Sequence, residues 1–161
     1  MKGWRHLGDA DKAELTRLLR YLLAQREEVR FACLHGSFLE PRGFRDVDIA
    51  VWVDPIKIPK ENALEYEFRL SAWIEGRVPH PIDVKVLNYA PLSFQYAATE
   101  GEPILVRDED EWFGFRERIW RDYWDFAPLA KEALLDLLGL APRRTGSPER
   151  NSSAERRDRR G

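Results

Sequence analysis

Gly36-Ser37-Phe38-Leu39-Glu40-Pro41-Arg42-Gly43-Phe44-Arg45-Asp46-Val47-Asp48 is the stretch that decides how this chain folds and what it can hold. The apolar run Val29-Arg30-Phe31-Ala32-Cys33-Leu34 reads as a buried strand and ends just before it. Gly36-Ser37 then begins a turn or short helix, and eight residues, 38–45, lead to two aspartates standing two apart. Val47, Ile49, Val51 and Val53 alternate behind them, which predicts a strand over 46–53. Side chains two apart on a strand share a face. Asp46, Asp48, Ala50, Trp52 and Asp54 therefore point one way and the valines and isoleucine the other.

Two adjacent carboxylates repel unless a cation sits between them. Magnesium (Mg2+) suits such a pair, because it takes hard oxygen ligands and shares them with substrate phosphates. Asp83 repeats the device in Ile82-Asp83-Val84-Lys85-Val86-Leu87, a second predicted strand over 82–87. If the two strands are neighbours, three carboxylates converge. Gly36 lets the backbone approach a phosphate closely, a following helix would aim free N–H groups at it, and Ser37 adds a hydroxyl. The layout is that of a site for a nucleoside triphosphate and its divalent metal.

The remaining chain frames these strands. Leu15, Leu18, Leu19, Leu22 and Leu23 fall at helical spacing and predict a helix over 10–26. Pro55 and Pro59 bracket a loop, and residues 60–75, with Leu64, Phe68 and Trp73 among charges, read as a helix. A short helix is expected from Pro91 to about Thr99, a strand at 104–106, and a helix from Asp110 to Leu140 broken near Pro128. On that last helix Trp112, Phe115, Ile119, Tyr123 and Phe126 make one stripe, and Phe113, Trp120 and Trp124 a second beside it. So wide an apolar face exceeds what one small core needs, so part of it reads as a surface for a partner or a second copy.

With 161 residues, the chain suits one domain over 1–141, followed by an Arg-rich tail over 142–161 that reads as disordered. A net charge of -2 argues against a nucleic-acid binder. The N-terminus lacks the apolar stretch of a signal peptide and no run approaches a membrane span, which predicts a cytoplasmic protein. Cys33, the single cysteine, reads as core. Asp54 reads as a turn residue before Pro55, and packing accounts for His35.

Gly36-Ser37 followed by Asp46-Val47-Asp48 resembles the signature of the polymerase-beta-type nucleotidyltransferase superfamily. The short chain, the segment Asp83 to Leu92 and the segment Tyr123 to Leu129 are similar to its minimal branch, the adenylyltransferase antitoxins paired with HEPN-domain toxins. The resemblance implies an α/β fold with a short mixed sheet, helices on one face and a C-terminal helical extension. It also implies ATP as substrate, Gly36 and Ser37 on the triphosphate, Asp46, Asp48 and Asp83 as metal ligands and catalytic carboxylates, and transfer of AMP to a hydroxyl of a cognate toxin. That hydroxyl is expected to be a tyrosine's.

This sequence departs from the family pattern in the loop. Phe38-Leu39-Glu40-Pro41 precedes Arg42-Gly43, and Arg45 stands before Asp46, so Arg42 or Arg45 can take over the grip on the phosphates. Lys85 can reach a phosphate or pair with an acid. Two other readings fit the same residues: an antitoxin that works by binding alone, and a transferase acting on a small molecule.

Overall fold

A computed structural model of the protein describes residues 3–140. The predicted tail at 142–161 lies outside the described residues. The elements run α1 (Asp9–Ala24), β1 (Val29–His35), β2 (Val47–Val53), α2 (Ala63–Glu75), β3 (Ile82–Val86), α3 (Leu92–Thr99), β4 (Glu102–Val106) and α4 (Glu109–Leu137). The four strands form one mixed sheet in the order β3-β2-β1-β4. β1 is antiparallel to both β2 and β4, while β2 and β3 are parallel.

Alternation decides what each face of the sheet meets. Val47, Ile49, Val51 and Val53 of β2 join Val84 and Val86 of β3 in one core with Leu19 and Leu23 of α1 and Leu70 and Ile74 of α2. This is the helical layer that the sequence predicts on one face. The other face is not left bare. Phe31, Cys33 and Ala50 point into a second core closed by Ala98 of α3 and by Trp112, Phe115 and Ile119 of α4. Apolar side chains shared the face with the aspartates, and leaving them in water would forfeit about 1.5–3 kcal/mol for each large one. Helices therefore lie on both faces, and the C-terminal extension covers the second.

Side chains complete the backbone pairing where strands run out. Glu75 Oε1, Ser71 Oγ and Glu67 Oε1, four residues apart along α2, accept from the N–H groups of Ile82, Val84 and Val86. Asn88 donates to the Val53 carbonyl at 2.8 Å and accepts from the Val53 N–H at 2.9 Å, extending the β2–β3 ladder by one rung. Asp54 accepts from the Ile56 N–H at 2.9 Å, the turn role expected of it. Cys33 is fully buried, and burial pushes its thiol up to about 12.

Two elements depart from the sequence reading. β4 starts at Glu102, two residues before the predicted strand, because Glu102 and Pro103 pair with Leu34 and Cys33. α4 continues through Pro128 to Leu137 instead of breaking. Proline forfeits one helical hydrogen bond, but the strong helix formers that follow it (Leu129, Ala130, Lys131, Glu132) resume the helix at once. The first compact unit nevertheless ends at Ala127, and Pro128 opens a second. Within that second unit Leu129, Leu134 and Leu137 are exposed. Among the described residues no helix is long and apolar enough to cross a membrane.

Candidate active site

Strand register brings the sequence-predicted acids together. Asp48 stands directly opposite Asp83 on β3 and directly opposite His35 on β1, so His35, Asp48 and Asp83 form one row across three strands. Asp46, half-buried, lies just before β2 on the same face. Below this row come Cys33, Ala50 and Lys85, and below those Phe31 and Trp52, stacked at 5.8 Å. The face thus passes from carboxylates to aromatics along the strands, and only the carboxylate end is free of the second core.

Gly36 explains why glycine must precede the serine. Its φ is 74°, and a Cβ there would collide with Asp48 Oδ2. The backbone at the end of β1 is therefore packed directly against the metal-type carboxylate, a closeness no other residue permits. Ser37 follows in a 3-10 turn over Gly36–Leu39, with its side chain half-buried.

Electrostatics mark the same cluster. The Asp48 carboxyl is pushed from the ordinary 3.8 to about 6, first by burial, then by repulsion from Asp83 and Asp46, with Lys85 opposing. Burial holds His35 below the ordinary histidine range against the pull of Asp83. Its Nε2 has no hydrogen-bond partner among the described residues, and its ring meets Phe94 edge-on at 5.3 Å. The sequence reading assigned His35 to packing, and its edge-on contact with Phe94 is such packing, but the alternation Phe31, Cys33, His35 also sets it on the aspartates' face.

The cationic residues divide. Lys85 Nζ lies 3.9 Å from Asp83 Oδ1 and 3.8 Å from Glu67 Oε2, so its salt-bridge reading is realised in this arrangement. Arg45 is exposed and its guanidinium stacks over Trp4 at 4.9 Å. Arg42 is exposed on the loop.

The unusual loop 38–45 is held from outside by residues that carry no motif. Arg5 and Phe44 exchange both backbone hydrogen bonds, at 2.8 and 3.0 Å, which straps the N-terminal segment across the loop. Gly43, at φ 104°, leaves room for that strap, since a Cβ would lie 2.8 Å from the Arg5 carbonyl oxygen. Lys12 Nζ donates to the Phe38 carbonyl at 2.7 Å and the Glu40 carbonyl at 3.0 Å. Phe38 and Phe44 pack edge to face in the core, 5.0 Å apart. Lys12 thus closes the turn that carries Ser37, by a contact 26 residues away in sequence that no local pattern announces.

The donor set fits a hard divalent cation. Three carboxylates repel one another on one face, and opposite charge between them would relieve it. Among the described residues no group of three His, Cys, Asp or Glu side chains is placed to hold a metal ion by itself. A cation at Asp48 and Asp83 would have to take further oxygen ligands from substrate phosphates.

The chain matches the family model described as Polymerase beta, Nucleotidyltransferase over residues 18–110, more than half of its length. Comparison with curated proteins finds no significant match. Several solved structures share the fold. A chain in the crystal structure of the toxin-antitoxin MntA-HepT is 15% identical, with a TM-score of 0.57 over 78% of this chain and 98% of that one. A chain in the structure of the tri-AMPylated Shewanella oneidensis HEPN toxin in complex with MNT antitoxin is also 15% identical, with a TM-score of 0.58 over 79% and 98%. A chain of a toxin-antitoxin crystal structure with AMP-PNP is 16% identical, with a TM-score of 0.57 over 76% and 96%. At these identities the likeness establishes the polymerase-beta-like fold that the motif implied. By its family match and by this fold, the chain belongs to the polymerase beta nucleotidyltransferase family.

Proposed function

We propose that this protein is a magnesium-dependent adenylyltransferase that moves AMP from ATP onto a hydroxyl of a partner HEPN-type toxin in the cytoplasm, neutralising it as an antitoxin. The observation that carries the reading is the meeting of Gly36, Asp48 and Asp83, in which a close-packed backbone turn adjoins a row of mutually repelling carboxylates. The similar structures support the partner and the chemistry, since one contains a tri-AMPylated HEPN toxin with its antitoxin and another contains AMP-PNP.

In this reading Gly36 and Ser37 hold the β- and γ-phosphates through backbone N–H groups and the serine hydroxyl. Asp46, Asp48 and Asp83 would hold magnesium, which supplies neutralisation of phosphate charge when bound. Asp83 also accepts the proton of the attacking hydroxyl. The new oxygen–Pα bond forms as the bond from Pα to the β-phosphate bridge breaks, and pyrophosphate leaves with the electron pair. Arg45, once released from Trp4, and Arg42 are the cations within the loop that can meet the departing phosphates. The exposed aromatics Phe113 and Trp124 of α4 contribute toxin-docking surface.

The test is a mass spectrum of a co-expressed HEPN toxin after incubation with this protein, ATP and magnesium, beside an Asp46→Ala/Asp48→Ala double variant. Additions of one or more AMP units with the wild type alone support the reading. A stable complex without mass addition for both proteins would replace it with neutralisation by occlusion.

A further inference from the structure

A cavity of about 510 Å³ lies along α4, and the six residues that line it, Phe113, Arg116, Glu117, Trp120, Arg121 and Trp124, all belong to that helix. Phe113 and Trp124 are 56% and 62% exposed, while Trp112, Phe115 and Ile119 take the buried side. Two features of the open side have no use within the chain. Gly114 interrupts it, and a Cβ there would meet nothing within 4 Å. Glycine is a poor helix former, so a gap at this position weakens α4 without serving any contact of its own. Glu117 makes no ion pair among the described residues, although Arg121 stands one turn on in the order that favours pairing along a helix. Arg121 lies instead 3.9 Å from Asp122.

These residues form a palindrome. Gly114, Glu117, Arg121 and Trp124 are spaced three, four and three apart, which puts them on one stripe of the helix. Glu117 and Arg121 are each two residues from Ile119, and Gly114 and Trp124 are each five from it. In a pair related by a two-fold axis, whatever residue i meets at j of the other copy, j meets at i. Two α4 helices packed antiparallel, with the axis level with Ile119, therefore bring Glu117 of each to Arg121 of the other. The same axis brings Trp124 of each over Gly114 of the other. At 1.5 Å of rise per residue, the ion pairs stand about 3 Å and the Trp–Gly contacts about 7.5 Å either side of the axis. Packed parallel, the stripes would set like charges together. Charge and shape, read separately, give one centre, and that coincidence singles out a second copy as the occupant.

We propose that the free protein pairs with a second copy of itself through this face of α4, antiparallel and centred on Ile119. Each Trp124 ring fills the gap above the other copy's Gly114 and meets Phe113 beside it, and two Glu117–Arg121 pairs flank the axis. The rings supply most of the contact, and the ion pairs set register and orientation. One helix face from each copy makes a small interface, so the pair forms and parts reversibly. The pairing does not depend on the adenylyltransferase reading. It does cover the aromatics that reading gives to the toxin, so self-pairing and toxin docking exclude one another at Phe113 and Trp124.

The experiment is sedimentation velocity of the full chain across the micromolar range, as wild type, Glu117→Arg, Arg121→Glu, an equimolar mixture of those two variants, and Gly114→Gln. All three positions are exposed, and melting curves check that each variant folds. The wild type should form a reversible dimer. Each charge variant should raise its Kd at least tenfold, because both ion pairs become like-charge contacts. Mixing the two variants restores opposite charge at both contacts, and a dimer with a Kd within threefold of the wild type's should return. Gly114→Gln should also raise the Kd at least tenfold, with no loss of melting temperature, since glutamine favours the helix that glycine weakens. A wild type that stays monomeric throughout, a dimer indifferent to any of the three variants, or a mixture whose components stay apart would overturn the proposal.

Discussion

Replacing Asp48 with asparagine should stabilise the metal-free protein while abolishing its chemistry. Asp48 is half-buried, faces Asp83 across the β2–β3 ladder and has its carboxyl raised from 3.8 to about 6, chiefly by burial and then by Asp83 and Asp46. Its pKa is higher folded than unfolded, so between pH 3.8 and about 6 the folded state binds more protons than the unfolded one. The contribution of Asp48 to stability therefore falls as pH rises through that window and stays low above it. Two pKa units correspond to about 3 kcal/mol, and solvent screening of a half-exposed group reduces this to about 1–1.5 kcal/mol. Asparagine keeps the shape and removes the charge, so above pH 7 in EDTA the variant should melt about 3–6 °C higher than wild type. At pH 4, where wild-type Asp48 is protonated, the two should coincide. Adding 10 mM magnesium should raise the wild-type melt and leave the variant unmoved. Thermal melts followed by circular dichroism at pH 4, 6 and 8 measure all of this. A variant that melts below wild type at pH 8 in EDTA, or a variant-minus-wild-type difference that does not grow from pH 4 to 7, would refute the reasoning.

Other outcomes follow from the same geometry. Gly36→Ala forces a Cβ into the Asp48 carboxylate at positive φ; it should cost about 1–3 kcal/mol and reduce AMP transfer at least 100-fold, measured by melting and labelled-ATP assays. Lys12→Met keeps the apolar stem but releases the Phe38 and Glu40 carbonyls; it should cost about 1–3 kcal/mol in urea unfolding and raise the KM for ATP several-fold through the loosened Ser37 turn. Asn88→Ala removes both bonds to Val53 and should destabilise by about 2–3 kcal/mol in the same unfolding assay. Cys33, buried and with its thiol held near 12, should resist a thiol reagent in native buffer and react fully in denaturant.

Much of this arrangement was legible in the chain because it rests on period-two alternation. Val47 to Val53 fixed both the core face of β2 and, by parity, the face of Asp46 and Asp48; Ile82 to Val86 did the same for Asp83. What alternation could not supply was depth of burial and long-range contact. Leu64 and Phe68 look like core residues of an amphipathic helix, but α2 turns Tyr66 and Leu70 to the sheet because it must also offer Glu67, Ser71 and Glu75 to β3. The grip on loop 38–45 comes from Arg5 and Lys12, which lie in earlier segments and carry no local signal. The loop arginines were read as stand-ins for the family's phosphate-gripping arginine, and what the sequence did not announce is that Arg45 stacks on Trp4, forty-one residues earlier. The reading of helices on one face with a C-terminal helical extension left open where the extension lies; Phe31, Cys33, Ala50 and Trp52 share the aspartates' face, and α4 covers them.

The acceptors that α2 sets against β3 have a consequence for how the molecule behaves at high concentration. A bare edge strand is a template for another chain, whether as fibril growth or as a partner's added strand. Here the outward N–H groups of Ile82, Val84 and Val86 are already occupied. At the opposite border β4 carries Pro103, and Arg20 takes the Ile104 carbonyl at 2.7 Å. Among the described residues both borders of the four-stranded sheet are thus blunted. Copies crowded together meet little free backbone on which to pair strand to strand.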